Sequence, residues 1–198
     1  ENLLKFNKEF DIHSINAVAG FTIEEEVQEG RNMNASGFIT ELTRTNDMGG
    51  GTQRPSVWSY KNRWGMMSWL GRINYTLKNR YLVTITGRAD GSSKFSQGHK
   101  WGFFPSMAVG WRVIEEPFMQ DQELVSNLKL RLSWGQTGNQ EIGPASALAT
   151  YTSVNYNYGD QLVIGMAPGG VNNPALQWEK TEEFNLGLDY GMFKNRLR

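Results

Sequence analysis

The sequence predicts an all-β protein whose strands form an antiparallel up-and-down meander. The first observation is a long alternation of apolar and polar residues, which is typical of strands with one apolar face. The second is that short and long connections take turns along the chain, as they do when each strand reverses direction. The third is that the charged residues of the strands lie opposite the apolar ones. Together these observations favour a partial transmembrane β-barrel.

The first two strands are predicted at residues 2–9 and 13–23, where apolar residues recur at every second position of the longer segment. Residues 25–63 are polar, contain a run of glycines and show no sustained period. We therefore interpret 25–63 as a long loop, with a helical turn near residues 37–42.

The clearest alternation covers residues 64–77 and 81–90, which a short polar turn separates. A loop at 91–101 leads to a further strand at 103–113. Extended strands place every second residue on the same face. The apolar set of these three strands includes Met67, Trp69, Ile73, Tyr75, Tyr81, Val83, Ile85, Met107, Val109 and Trp111. This stretch therefore predicts neighbouring strands that share a continuous apolar face.

The remainder of the chain predicts two further strands and a second long loop. Residues 115–126 are compatible with a short helix, and residues 128–134 alternate again. Residues 138–176 are rich in Asn, Gly and Tyr, and we interpret them as a loop with its own hairpin near residues 151–164. The last strand is expected over residues 183–190, which gives about seven strands in all.

Strand length and charge placement favour a barrel wall over a soluble sandwich. About 11 residues at roughly 3.3 Å each, tilted near 45°, rise about 25 Å, which is the height of the apolar band of an outer-membrane barrel. An arginine that faces lipid at the bilayer midplane costs roughly 2–4 kcal/mol. We therefore predict that the strand charges line the lumen; they are Arg72, Arg88, Arg112, Lys129, Arg131 and Asp189. The alternative is a soluble β-sandwich, which buries the same apolar face under a second sheet.

The composition excludes several classes of protein and of site. The formal net charge is +0, so the sequence predicts no basic surface for nucleic acid. Cysteine is absent, and His13 and His99 lack metal-ligand spacing, so we expect no disulfide, metal site or cofactor. Gly49-Gly50-Gly51 is not followed by the Lys-Ser/Thr of a phosphate-binding loop.

The candidate binding residues are few, and none of them predicts catalysis. Glu115 and Glu116 are adjacent carboxylates on a turn, where side chains diverge, so we expect a solvated surface and not an acid–base pair. The lumen-facing Arg72, Arg88 and Arg112 are candidate ligand-binding residues. Four loop aromatic residues could stack on sugar rings or pack against each other, and the sequence favours neither: Trp58, Tyr60, Tyr156 and Tyr158. We do not expect an enzyme.

Several ordered segments carry a resemblance to a known family. They read HSINAVAGF (13–21), RADGSSKF (88–95), WGFFPSMAVGWRVIEEPFM (101–119), NLKLRLSWGQTGNQ (127–140) and NPALQWEKTEEFNLGLDYGMFKNRL (173–197). In this order they resemble the SusC/RagA family of TonB-linked outer-membrane proteins. The resemblance extends over nearly the whole chain and is weakest at residues 25–63 and 141–172.

The resemblance implies a barrel of about 22 strands with an N-terminal plug, placed in the outer membrane of a Gram-negative cell. Such a protein imports glycans or peptides with a SusD-like surface lipoprotein, and the TonB–ExbB–ExbD complex supplies the energy. We then expect this chain to be an internal piece of the barrel, cut at both ends and without the plug. It would reach TonB–ExbB–ExbD only through missing N-terminal parts. The loops 25–63 and 138–176 would be extracellular.

Three classes of function follow: a piece of a transporter barrel, a soluble carbohydrate-binding module, and a glycan-processing enzyme domain. An enzyme would need acid and base groups that converge in a cleft. A barrel piece would present its apolar band to outer-membrane lipid and expose unpaired edge strands near residues 2–9 and 178–190. A sandwich would instead bury six residues of that band: Trp69, Ile73, Val83, Ile85, Val109 and Leu130.

Overall fold

The computed structural model describes residues 1–42, 46–53, 56–143, 146–171, 173–193 and 196–197. Strands dominate this part of the chain. Their bounds are β1 Asn2–Phe10, β2 His13–Asn34, β3 Ser56–Leu77, β4 Tyr81–Ser92, β5 Trp101–Arg112, β6 Val125–Asn139, β7 Tyr151–Tyr158, β8 Gln161–Pro168 and β9 Glu179–Met192. The all-β prediction is confirmed. No helix in the described ranges is both long and apolar enough to cross a membrane.

Seven of the strands form one sheet in the order β1-β2-β3-β4-β5-β6-β9. The ladders β1–β2, β3–β4, β4–β5, β5–β6 and β6–β9 are antiparallel. Strands β2 and β3 are also antiparallel. Trp69 of β3 contacts Phe21 of β2, and Tyr60, which precedes Trp69 in the chain, lies over Gly30, which follows Phe21. Strands β7 and β8 pair only with each other, as the predicted hairpin near residues 151–164. The meander is confirmed, and the sheet does not close on itself: β1 and β9 stand at its two ends.

The chain contacts divide the protein into two compact units. One contains residues 1–24 and 66–198, and therefore most of the large sheet and the β7–β8 hairpin. The other contains residues 25–65, in which the end of β2 and the start of β3 form a two-stranded ribbon. We call this pair of segments, 25–34 and 56–65, the ribbon.

The ribbon corrects the prediction of a loop over residues 25–63. Strand β2 continues to Asn34 and β3 begins at Ser56, each strand being 22 residues long. Cross-strand ion pairs, Lys61 with Glu29 and Arg63 with Glu25, accompany the ribbon. Residues of both ribbon faces are exposed, so its sequence needs no apolar alternation. The period that reveals the other strands is therefore missing here.

Two further expectations about helices are wrong. Residues 115–126 hold short 3-10 turns, Val113–Glu115 and Pro117–Met119, in place of a helix. Pro117 has no backbone N–H and so interrupts a longer helical run. The helical turn expected near 37–42 is also absent there: Gly37 has a φ of +74°, and Phe38 forms a bridge with Gly51. A 3-10 turn occurs at Met48–Gly50 instead.

The apolar face of the large sheet is uncovered. Six residues of that face are the ones a sandwich would bury, and all of them are exposed or half-exposed: Trp69, Ile73, Val83, Ile85, Val109 and Leu130. The exposed fraction is 55% for Trp69 and 53% for Ile85. The alternative of a soluble β-sandwich is therefore wrong, because the described strands place no second sheet over this face.

A small core lies elsewhere, where the β5 start and the connections before β5 and β9 meet. Phe95, Phe104 and Trp178 are buried against each other, with Trp178 5.3 Å from each of the other two ring centroids. The indole Nε1 of Trp178 donates to the backbone oxygen of Lys100 at 2.9 Å. Partly buried apolar residues surround this aromatic core: Met66, Ile142 and Leu176. This core packs the connections before β5 and β9 against the start of β5.

Candidate functional site

A polar cluster occupies the face of β3 and β4 opposite the apolar one. Ser68 and Asp90 are directly opposite in the ladder, and both are buried. Arg88, two residues before Asp90 on the same face, donates from Nε to both carboxylate oxygens at 2.8 Å. Its second guanidinium nitrogen donates to Ser68 Oγ at 3.1 Å. Arg88 satisfies the buried Asp90, which would otherwise be a costly unpaired charge.

A cavity of about 430 Å³ lies beside this cluster and the aromatic core. Its wall combines polar side chains with two core rings, and it includes Thr86, Arg88, Asp90, Ser106, Gln136, Gln140, Phe104 and Trp178. Gln140 is half-buried; its amide nitrogen contacts Met66 Sδ at 3.5 Å, and its buried Oε1 has no hydrogen-bond partner among the described residues. The cavity wall is mixed, with more apolar than polar surface, and the residues that line it include no nucleophile–base pair.

The three candidate arginines share the polar face but do not form one site. Arg72 donates to Thr86 Oγ1 at 3.3 Å, and Arg88 binds Asp90 as described. Arg112 donates to Asn79 Oδ1 at 2.8 Å, in the short turn after β3. Each guanidinium therefore has its own acceptor, which lies on a neighbouring strand for Arg72, on the same strand for Arg88 and in a turn for Arg112. That these residues bind a ligand stays a prediction.

At the short turns, Glu116 holds two aromatic side chains together. Its Oε1 accepts from the Tyr81 hydroxyl at 2.6 Å and from Trp111 Nε1 at 3.0 Å. Its Oε2 lies 3.2 Å from the Arg80 guanidinium. The Tyr81 hydrogen bond, then that of Trp111, and the charge of Arg80 hold the pKa of Glu116 below its ordinary value. Residue Glu116 is 7% exposed, so the expected solvated surface is wrong for it.

Sequence reasoning misses this contact for a physical reason. Tyr81 and Trp111 are opposite in the β4–β5 ladder, so only the register brings them to one point. The chain then leaves β5 and returns Glu116 to the same place through the Val113–Glu115 turn. The sequence signal that could predict this contact is an aromatic residue at the turn-side end of each of the two strands, followed closely by a carboxylate. Glu115, in contrast, is exposed as expected.

The candidate aromatic residues fall into two pairs. Trp58 and Tyr60 stack on each other in the ribbon, with 5.8 Å between ring centroids and 27° between planes. Tyr156 lies over Gly165 of the β7–β8 hairpin, and Tyr158 at the end of β7 is 84% exposed. Trp58 also remains exposed. The structure thus brings the first two together, while their binding of a ligand stays a prediction.

Within the described residues, no group of three or more His, Asp or Glu side chains could hold a metal ion. His13 instead accepts or donates one hydrogen bond with the Tyr75 hydroxyl at 2.7 Å, and its ring stacks near Phe10. This arrangement is a packing contact between β2, β3 and the β1–β2 turn.

The chain matches a known protein family over almost its whole length. A sequence model of the family described as TonB dependent receptor-like, beta-barrel, matches residues 5–198. The chain belongs to this family. Its members are outer-membrane receptors and transporters, and not a family of enzymes.

Curated relatives match the whole chain or most of it. TonB-dependent receptor P3 of Formosa agariphila is 38% identical over 199 residues, which cover 100% of this chain and 20% of that receptor. TonB-dependent receptor SusC of Bacteroides thetaiotaomicron is 45% identical over 144 residues, which cover 70% of this chain and 14% of that protein. The chain therefore spans about a fifth, or less, of the length of these TonB-dependent receptors.

A solved structure shows the same strand arrangement. The RagAB peptide importer in the 'closed-closed' state matches 98% of this chain and 21% of its own, with a TM-score of 0.81 and 28% identity. The RagAB importer in the 'open-open' state gives a TM-score of 0.78 with 29% identity. The predicted SusC/RagA family is confirmed, and the seven-stranded sheet is part of a TonB-dependent receptor barrel.

Proposed function

We propose that this chain forms part of the barrel wall of a TonB-dependent outer-membrane transporter of the SusC/RagA type. The observation that carries the proposal is the contrast between the two faces of the large sheet. One face is a band of exposed apolar side chains, and the other carries hydrogen-bonded charges such as Arg88 and Asp90. In this assignment the first face meets lipid and the second lines a hydrated lumen.

The energetics support the assignment. In water, such a large exposed apolar band would favour aggregation. In a bilayer the same band needs no cover, whereas an arginine at the midplane on the lipid side would cost roughly 2–4 kcal/mol. The Arg131–Asp189 pair, 2.7 Å apart and half-exposed, can keep water contact only on the lumen side. Tyr81 and Trp111, at the short turns, suit the interface where aromatic girdles lie.

The import of glycans or peptides, the SusD-like lipoprotein and the TonB–ExbB–ExbD complex belong to this proposal. The similarity to SusC and to the RagAB peptide importer supports them. The segments 25–63 and 138–176 are proposed as extracellular, because the short turns near Asp11 and Asn79 occupy the other end of the strands. The 138–176 segment contains the β7–β8 hairpin.

The test uses the full-length protein in its own cell. Uptake of fluorescent oligosaccharides and oligopeptides is measured with the receptor gene intact, with it deleted, and with TonB removed. We expect one ligand class to enter only when both the receptor and TonB are present. Surface protease should cut within 25–63 or 138–176 and spare the short turns. Uptake that does not depend on TonB, or cleavage at the short turns of intact cells, would contradict the proposal.

A further inference from the structure

The ribbon separates its side chains by chemical type. Its ion pairs, Lys61 with Glu29 and Arg63 with Glu25, use odd-numbered residues, which share one face because side chains alternate along a strand. Trp58 and Tyr60 are even-numbered residues of the same strand and occupy the other face. The charges of these pairs are thus neutralised on one side, and the aromatic rings stand on the opposite side.

Amide side chains share this face with the two rings. Tyr60 lies over Gly30 of β2. Gln28 and Asn32 flank Gly30 on β2, and Asn62 follows Tyr60 on β3; all three are at even-numbered positions and therefore on the aromatic face. Amides offer both donors and acceptors, as hydroxyl groups do. Because Gly30 has no side chain, the Tyr60 ring can lie close to β2, and an added Cβ would collide with it.

We infer that this aromatic face binds a neutral sugar ring of a glycan, with Trp58 as the main stacking surface. Trp58 is 54% exposed even while it stacks on Tyr60, so ring area remains for a ligand. The C–H side of a sugar ring covers an aromatic face, and its hydroxyl groups reach the amides of Asn32 and Asn62. Among glycans an uncharged one fits better than an acidic one, because Glu26, also at an even position of β2, lies on the same face and would repel an anionic sugar.

A peptide fits this face less well. Peptides bind exposed sheets by adding a strand at an edge, where backbone groups provide the affinity. Charged side chains protect the edges of the ribbon, as the run Glu24-Glu25-Glu26 does on β2. The exposed aromatic surface lies instead on the flat face, where a ring can stack. This inference rests on the proposed function, since it assigns the imported ligand to the glycan class.

The test measures binding to the full-length receptor purified in detergent. The probes are neutral hexasaccharides of glucose, xylose and mannose, together with an uncharged hexapeptide, and the method is titration calorimetry. We expect saturable binding of at least one hexasaccharide. Trp58→Ala should weaken that binding about five- to tenfold, as the loss of one aromatic contact predicts. Trp58→Phe should retain most of it. Val57→Ala, on the opposite face of the same strand, should change it less than twofold.

The outcomes separate the site from the function. Unchanged sugar binding in Trp58→Ala, or an equal loss in Val57→Ala, overturns the site. Saturable binding of the hexapeptide alone assigns the face to peptides and overturns the inference that it binds a sugar. The absence of binding by every probe also overturns that inference. TonB-dependent uptake is measured for the same variants in cells. If uptake persists while the site fails, only the site is wrong; if the intact receptor shows no TonB-dependent uptake, the proposed function is wrong.

Discussion

The ring of Phe104 lies so close over Gly138 that a Cβ atom added to this glycine would overlap the ring. Gly102, two residues before Phe104, is covered by the same ring. Phe104 can therefore reach the aromatic core with Phe95 and Trp178 only because these two positions lack side chains. The packing of Phe104 therefore links β5 to the connections before β5 and β9, which supply Phe95 and Trp178.

Gly138→Ala should destabilise the receptor because the new methyl group forces Phe104 out of the aromatic core. Overpacking of this kind costs about 1–3 kcal/mol. The measurement is denaturant unfolding of the full-length receptor in lipid vesicles, followed by tryptophan fluorescence. Trp178 is a core residue, so its environment should change together with the loss of stability.

Gly71→Ala is the matched control for Gly138→Ala. It also lies inside a strand of the sheet, but no described heavy atom lies within 4 Å of its added Cβ. We expect this variant to be neutral, or more stable by about 0.5–1 kcal/mol because glycine costs more conformational entropy on folding. Equal destabilisation of both variants would contradict the argument from Phe104.

The Arg88–Asp90 pair should contribute more to stability than the Arg131–Asp189 pair. Asp90 is buried and has both oxygens bound, whereas Arg131 and Asp189 are both about half-exposed. Asp90→Ala should therefore cost about 1.5–3 kcal/mol, the range for hydrogen bonds to charged groups. Asp189→Ala should cost less than about 1 kcal/mol, as exposed ion pairs do. Vesicle unfolding midpoints compare the two, and similar losses would refute the difference.

Glu116 should make the receptor sensitive to acid. Its pKa is lowered in the folded protein, so its stabilising contribution is complete above the ordinary carboxyl value and is lost as pH falls through the lower, folded value. Glu116→Gln should lower the melting temperature at neutral pH. The difference from the unmodified receptor should then shrink as the pH is lowered below about 4. Thermal unfolding between pH 3 and 7 measures both.

Glu115→Gln provides the comparison for Glu116→Gln. Glu115 is adjacent in sequence but exposed. Its substitution should leave the melting temperature unchanged throughout the pH range. If both variants behaved alike, the contacts of Glu116 with Tyr81 and Trp111 would not be the source of the acid sensitivity.

The sequence is sufficient to predict the seven strands of the large sheet because their two faces meet different surroundings. Where one face is apolar and the other charged, as at Trp69 and Arg72, apolar and polar residues must alternate along the strand. In the ribbon, residues of both faces are exposed, so nothing imposes the period and the strands at 25–34 and 56–65 cannot be predicted from it.

The candidate site depends more on register than on sequence. The position of Asp90 opposite Ser68 requires the β3–β4 ladder, and the meeting of Tyr81 with Trp111 requires the β4–β5 ladder. Each of these contacts joins residues that are far apart in the sequence. The stacking of Trp58 on Tyr60, two residues apart on one strand, is local, but it could be foreseen only once that segment was known to be a strand.

The last prediction tests which face of the sheet meets lipid. Leu132 lies on the apolar face of β6 and is 52% exposed, while Ser133 is on the polar face next to it. Leu132→Arg should destabilise the folded barrel by about 2–4 kcal/mol in vesicles, because the guanidinium would enter the hydrocarbon layer. Ser133→Arg should change the stability by less than about 1 kcal/mol, since a lumen-facing arginine keeps its water. A larger loss for Ser133→Arg than for Leu132→Arg would reverse the assignment of the two faces.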